Sequence, residues 1–382
     1  MSEPIEFSVL LPTRNGGRYI EACIESILAQ ADARIELIVS DNANEDETPA
    51  VLQRYADRPG VTIVRTQTVL SVTDNWNNAY RHARGEYVLM MGDDDLLLDD
   101  YFTRMRALLS RHGRPDCVVY NGYSYIAPTS VGTHTCSYYR EQHFAFGDDF
   151  RHEALLTPQH RRGIVVDMFR FLPRIPLNMQ TTLVKRAAAE RIPGGFFQPP
   201  FPDHLALNAL LLCADSWVFT PERFVVVGVS PKSFGHYVYS QSQQSGLAYL
   251  GISADFAGRL PGNELLNGMY VWLDALRGLY PDELRGITVD RPAYVRRQIY
   301  AWILDWRMGR RSLGSVVSQM AALSLADQLG QAASLVDRQS WRYVQRLLQP
   351  QQSSAERQFT ELLTLDDVPD ISTFARWAAG RA

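Results

Sequence analysis

Tyr87-Val88-Leu89-Met90-Met91 is a short apolar run that stops at Gly92, and Asp93, Asp94 and Asp95 follow at once. The run has the length and composition of a buried strand. Three adjacent carboxylates at the end of such a strand repel one another and resist desolvation. A divalent cation among them removes much of that cost, and Mg2+ in particular takes oxygen ligands and shares them with substrate phosphates. The competing reading is a solvated acidic turn ahead of the next helix, since Asp99 and Asp100 make the whole region acidic. The residues upstream bear on the choice.

Phe7-Ser8-Val9-Leu10-Leu11 has a buried-strand pattern halted by Pro12, and Thr13-Arg14-Asn15-Gly16-Gly17 reads as a loop. Tyr19, Ile20, Cys23, Ile24, Ile27 and Leu28 then recur at helical spacing. Ile35–Ser40 is a second strand, ending at Asp41-Asn42-Ala43. Asn44 with Glu47 three residues later has the form of a capping box that starts a helix through Val51, Leu52 and Tyr55. Val61–Val64 is a third strand, and Trp76, Ala79, Tyr80 and Ala83 mark a third helix. Strands alternating with helices of this size predict a mostly parallel sheet covered on both faces. Ligands bind such sheets beyond the carboxyl ends of the strands. That rule gathers Pro12, Thr13, Arg14, Asn15, Asp41, Asn42 and Asp93–Asp95 on one rim. Neither GxGxxG nor GxxxxGK[ST] follows the first strand, so no glycine-rich cradle holds phosphate there. A metal is the expected substitute.

In order and spacing, Ser8–Asn15, Tyr19-Ile20, Cys23–Gln30, Glu36–Asn42 and Gly85–Val88 resemble the donor-binding half of the family 2 glycosyltransferases. The resemblance covers residues 7–125 and implies the GT-A (Rossmann-like) α/β fold, with inversion and a nucleotide-sugar donor. It implies that Asp41 hydrogen-bonds the nucleotide base, a role that a carboxylate accepting the N3–H of uracil or thymine can fill. It also implies that the acidic motif binds metal, ribose and diphosphate. The common form of that motif is Asp-x-Asp-Asp, and here Gly92 stands at its first position. Asp93 and Asp94 are therefore expected at the donor, and Asp94 and Asp95 at Mn2+ or Mg2+. Asp74, Asn75 and Asn78 lie where a donor sugar could be reached, although hydrogen bonding on the helix explains them equally well.

The middle of the chain is expected to hold the acceptor side. Val118–Tyr125 is an aromatic-rich strand. Residues 128–165 carry His134, His143, His152 and His160 at no zinc spacing, and they read as a loop over the site. Gly194-Gly195-Phe196-Phe197 and then Pro202-Asp203 precede an apolar helix. In the resembled family a Gly-Gly-Phe stretch precedes the catalytic base, which assigns that role to Asp203. The alternative is that Asp203 only caps the helix. Past the strand Val225–Val229, Lys232 is a candidate for neutralising phosphate and His236 for a further metal ligand.

From about residue 240 the pattern changes to amphipathic helices, with stripes such as Leu265, Met269, Trp272, Leu273 and Leu276, and Val295, Ile299, Ile303 and Trp306. The expected division is a catalytic domain at 1–239, with donor half 1–125 and acceptor half 126–239, and an all-helical domain at 240–382. A net charge of −4 argues against a nucleic-acid partner. The four cysteines form no CxxC pair. No basic-then-apolar leader and no membrane-length apolar window are present, so the chain reads as cytoplasmic. Arg296-Arg297, Arg307 and Arg310-Arg311 leave peripheral contact with the inner membrane face open, and the tail leaves homo-oligomer formation open.

The expected activity is transfer of a sugar from a UDP- or dTDP-linked donor to a hydroxyl of a glycan, a lipid-linked sugar or a small molecule, as in polysaccharide, glycolipid or natural-product biosynthesis. A sugar-phosphate nucleotidyltransferase is the enzyme alternative, although the loop after the first strand lacks its Gly-rich basic sequence. A non-catalytic nucleotide-sugar-binding scaffold is the other.

Overall fold

The computed structural model describes residues 3–128, 136–143, 151–172, 178–231, 255–307, 309–332, 341, 344–345 and 362–380. Phe7–Thr13 (β1), Ile35–Asp41 (β2), Val61–Arg65 (β3) and Tyr87–Met90 (β4) run parallel in the order β3-β2-β1-β4. Their side chains alternate between two cores, as strand geometry requires. Phe7, Val9, Leu11, Tyr87 and Leu89 enter one core, and Leu10, Val88 and Met90 the other. Gly17–Leu28 (α1), Thr48–Gln53 (α2), Val72–Tyr80 (α3) and Tyr101–Arg111 (α4) cover the two faces, with α3 on the side opposite α1, α2 and α4. This is the expected α/β layering, and it puts Thr13, Asp41 and the residues after Met90 on one edge.

The parallel order holds for β1–β4, and the sheet is mixed beyond them. Leu96–Leu97 (β5), Cys117–Ile126 (β6), Ser137–Arg140 (β7), Ala154–Leu155 (β8), Thr182–Lys185 (β9) and Trp217–Val229 (β10) extend the sheet. β9 is antiparallel to both β4 and β6, whereas β10 is parallel to β6. Pro158–Phe169 (α5), Arg186–Ala189 (α6) and Pro202–Cys213 (α7) join α3 on its face. The stretch 128–165 is thus not one loop, since it contains β7, β8 and the start of α5. No stripe announces α5 because Arg161 is buried on it, donating to the carbonyls of Leu211 and Ala214 at the end of α7.

β6 begins on the edge opposite the rim, and Trp217 of β10 pairs with Cys117 there. α7 leads into that end, and its first turn lies about 18 Å away along the helix at 1.5 Å per residue.

The helical region comprises Glu264–Leu279 (α8), Arg291–Arg307 (α9), Leu313–Ala321 (α10) and Leu325–Ala332 (α11). α8 buries Trp272, Leu273 and Leu276 as expected. On α9 the buried face is Tyr294, Val295, Gln298 and Trp302, and Trp306 is exposed, so the face is turned from the apolar stripe. The cause is polar: Gln298 exchanges hydrogen bonds with the backbone of Asn263 and donates to Asn267 Oδ1. Among the described residues this region also holds the strand Leu363–Leu365 (β11), which pairs antiparallel with β7. Ile371–Ala379 (α12) follows, with Phe374 stacked on Tyr125 at 5.0 Å.

Candidate functional site

Register brings the first loop and the acidic triplet together. Leu10 pairs with Met90, so three residues on from each, Thr13 and Asp93 meet, and Thr13 Oγ1 donates to Asp93 Oδ2 at 2.6 Å. Cys23 of α1 lies beneath, its thiol donating to the Gly92 carbonyl at 3.4 Å.

The three aspartates sit in different surroundings. Asp95 is buried, with Oδ2 accepting the Gly92 amide at 2.7 Å and Oδ1 the Gly228 amide at 3.0 Å. Burial, and then the charge of Asp94, push its carboxyl well above the ordinary range. Asp93 and Asp94 are half-buried, and Asp94 Oδ2 accepts the Ser230 amide at 3.0 Å. The end of β10 therefore grips the acidic loop at two carboxylates. A Cβ on Gly228 would lie 1.8 Å from the Asp94 carbonyl oxygen, so only glycine permits the approach.

Asp41 is buried at the end of β2. Its Oδ1 accepts the Asn44 amide at 3.0 Å and Asn44 Nδ2 at 2.7 Å, and Oδ2 accepts Arg65 Nη1 at 3.3 Å. An ionised carboxylate offers about four acceptor positions, so three such bonds leave room for about one more donor. Asn44 Oδ1 also accepts the amide of Asn15, which binds the two strand-end loops to each other. Asn44 is accordingly not the start of a helix: α2 begins at Thr48, and its N-cap residue Glu47 makes no side-chain cap bond. Arg14 donates to the Ala43 carbonyl and pairs with Glu45 at 3.4 Å, while Pro12 is half-buried beside Thr13.

Asn75 is buried, and Ser40 Oγ donates to its Oδ1 at 2.6 Å, fixing α3 to β2. Asp203 occupies the first turn of α7, where its Oδ1 accepts the neighbouring His204 amide at 2.8 Å. The N-cap of α7 is Phe201, so Asp203 does not fill the capping position. Lys232 and His236 lie outside the described residues. Sequence reasoning missed Asn44 and Arg65 as partners of Asp41, and Gly228 and Ser230 as anchors of the acidic loop.

Among the described residues no group of three or more His, Cys, Asp or Glu side chains converges as a metal cage. Two oxygen ligands are nonetheless enough for a Mg2+-type ion that completes its shell with substrate phosphate and water. Asp93 and Asp94 have the right donor chemistry and are half-buried, whereas Asp95 is buried with a backbone amide on each oxygen. A groove of about 1510 Å3 opens beside Asp94 and Ser230 and runs between α1, β5 and α12. Asp41, Asp93 and Asp203 do not line it.

Residues 8–166 match the family described as Glycosyl transferase family 2. Over that segment the chain is similar to family 2 glycosyl transferases. Over 120 residues it is 32% identical to a PGL/p-HBAD biosynthesis glycosyltransferase of Mycobacterium bovis, covering 31% of this chain and 46% of that protein. It is 28% identical over 119 residues to an uncharacterized glycosyltransferase of Rickettsia typhi, covering 31% of this chain and 36% of that protein. The chain thus spans less than half the length of these curated relatives. Among solved structures, Staphylococcus aureus TarS 1-349 aligns with 82% of this chain and 88% of its own, at 16% identity and a TM-score of 0.46. The mannosyltransferase PcManGT of Pyrobaculum calidifontis, in complex with GDP-Man and Mn2+, aligns with 90% of this chain and 86% of its own, at 17% identity and a TM-score of 0.48. The family 2 segment contains the whole rim assembled from β1, β2 and β4. Asp203, Gly228 and Ser230 lie beyond it. No helix among the described residues is long and apolar enough to cross a membrane.

Proposed function

We propose that the protein transfers a sugar from a UDP- or dTDP-linked donor to an acceptor hydroxyl, with inversion at the anomeric carbon. The observation that carries the reading is the division of labour in the acidic loop. Asp95 is buried and accepts two backbone amides, and that anchorage leaves the half-buried Asp93 and Asp94 on the rim that also holds Asp41.

In this reading Asp41 takes the remaining hydrogen bond from the nucleotide base, and Thr13, Arg14 and Asn15 wall the nucleotide side. Asp93 and Asp94 hold Mn2+ or Mg2+, in place of the Asp94 and Asp95 pair expected from sequence. When bound, the metal offsets negative charge on the leaving diphosphate. Asp203 removes the acceptor proton as that oxygen attacks the anomeric carbon. Lys232 and His236 keep their sequence-based assignments to phosphate and metal. Residues 1–239 form the catalytic unit, and 240–382 a helical domain whose last segment returns to the sheet. The protein acts in the cytoplasm or at the inner face of a membrane. Contact with that membrane or with a second copy falls on α10 and α11, where Leu313, Val317, Leu325 and Leu329 are exposed.

The test is release of nucleoside diphosphate from UDP- and dTDP-sugars with a panel of glycan and lipid-linked acceptors, followed by the anomeric configuration of the product. Transfer with inversion, lost in Asp203→Asn, is expected. Turnover of sugar-1-phosphate with nucleoside triphosphate would replace this reading with nucleotidyl transfer. Donor binding without transfer to any acceptor would replace it with a scaffold.

A further inference from the structure

Among the described donor-site residues only Asp94 lines the groove of about 1510 Å3. One wall is α1 with the start of α4, and another is α12, which returns to the sheet from the end of the chain. Phe374 stacks on Tyr125 at 5.0 Å, Trp377 meets Tyr139 edge-on at 4.9 Å, and Tyr125 Oη donates to the Val368 carbonyl at 2.7 Å. That seat uses the helix face of Phe374, Trp377 and Ala378. Ser372, Ala375, Arg376 and Ala379 recur at helical spacing beside it and line the groove. The wall is held firmly, and three of those four side chains are small.

Charge limits what the groove accepts. Seven carboxylates and four arginines line it. Two of those arginines are already engaged, Arg104 with Glu222 at 2.8 Å and Arg223 over the Tyr123 ring at 4.9 Å. An anionic chain therefore meets net repulsion. Among the described residues the Asp99 and Asp100 carboxylates and the Ser372 hydroxyl make no hydrogen bond. Arg376 makes one, to Thr373 Oγ1 at 3.2 Å, which leaves most of its N–H donors open. Leu98, Ala127, Pro221, Ile371 and Ala375 add apolar surface. Open acceptors, open donors and apolar surface together match a ligand with hydroxyls on an apolar ring, as an uncharged sugar has. The volume exceeds the roughly 300–1,000 Å3 of small-molecule pockets, so a chain of several units fits better than one.

Resting on the reading of the protein as a glycosyltransferase, we propose that this groove holds an uncharged glycan chain as acceptor, with α12 as one of its walls. One end of the chain reaches Asp94, the metal carboxylate of that reading, and the groove binds the sugars behind the reacting one. Asp99 and Asp100 accept hydrogen bonds from sugar hydroxyls, and Ser372 and Arg376 donate to them from α12. The last segment of the chain thereby takes part in acceptor selection, and phosphate- or carboxylate-bearing chains are disfavoured.

The test is calorimetric titration of the full chain, without donor, using maltohexaose, cellohexaose and N-acetylated chitohexaose, with hexagalacturonate as the anionic probe. At least one neutral hexasaccharide should bind with a Kd of about 1 mM or tighter, and hexagalacturonate about 10-fold or more weakly than it. Ser372→Trp fills the groove from α12, and the double variant Asp99→Ala/Arg376→Ala removes a polar group from each wall. Each should weaken neutral binding about 10-fold or more, while UDP with Mn2+ binds at the parental affinity and so reports an intact fold. No neutral binding, hexagalacturonate binding as tight as the neutral chains, or neutral binding unchanged in both variants overturns the proposal. The transferase reading is tested apart from it, by transfer from UDP- and dTDP-sugars to the glycan that binds. Transfer that persists unchanged in both variants removes the groove and leaves the transferase. Glycan binding that both variants abolish, with no sugar transferred, leaves a glycan site and removes its role as acceptor site.

Discussion

Gly228 at the end of β10 donates its amide to the Asp95 carboxylate at 3.0 Å, across 133 positions of sequence. Asp95 holds the Gly92 amide with its other oxygen, so it ties the start of the acidic loop to the strand beside it. Asp95→Ala leaves both amides without that acceptor, at roughly 1–3 kcal/mol each. Urea unfolding without ligand should show a loss of about 2 kcal/mol or more for Asp95→Ala. Asp94→Asn should stay within about 1 kcal/mol of the parent. Equal effects would deny Asp95 its separate role.

Gly228→Ala forces a methyl group against the Asp94 carbonyl, 1.8 Å from the ideal Cβ position. Backbone must move, with an expected cost of about 1–3 kcal/mol. The displaced loop should also weaken metal-dependent nucleotide binding, measured by calorimetry. Binding at the parental affinity would show that the loop position does not matter to the ligand.

Gly268→Ala presses on Phe201, at the entry to α7. The expected result is a lower kcat with donor affinity unchanged, because the donor residues lie on β1, β2 and β4 while Asp203 lies on α7. A loss of donor affinity with kcat intact would contradict that separation.

Glu6 supplies the pH dependence. Burial raises its carboxyl, but hydrogen bonds from Arg106 Nε at 2.7 Å and Arg114 Nη1 at 3.0 Å outweigh it, so Glu6 titrates below its ordinary 4.5. A folded-state value below the unfolded one gives stability that is present above pH 4.5 and lost as pH falls through the folded value. Glu6→Gln should lower neutral stability and flatten the acid limb of the unfolding curve below about pH 4.5. Parallel acid limbs would remove Glu6 from the account.

The four parallel strands were legible because their apolar runs end in polar clusters, and the same punctuation placed Thr13, Asp41 and Asp93–Asp95 on one rim. What escaped was whatever depends on a distant partner. Asp93, Asp94 and Asp95 are alike in sequence, and only the amides of Gly228 and Ser230 separate them. Asn44 looked like a helix cap because Asn caps helices, but a closer acceptor and donor, Asp41 and the Asn15 amide, engage it instead. α5 and α9 bury Arg161 and Gln298 in hydrogen-bonded positions, which apolar periodicity cannot register.

The most direct measurement is calorimetric titration of the full chain with UDP, dTDP and GDP, with and without Mn2+, repeated on Asp94→Asn and Asp41→Ala. The account predicts that UDP or dTDP binds, that Mn2+ strengthens binding, that Asp94→Asn removes the metal effect and that Asp41→Ala weakens binding in either condition. No binding of any nucleotide with Mn2+ present, at concentrations up to about 1 mM, a Kd worth about 4 kcal/mol, would contradict a nucleotide-sugar site at this rim.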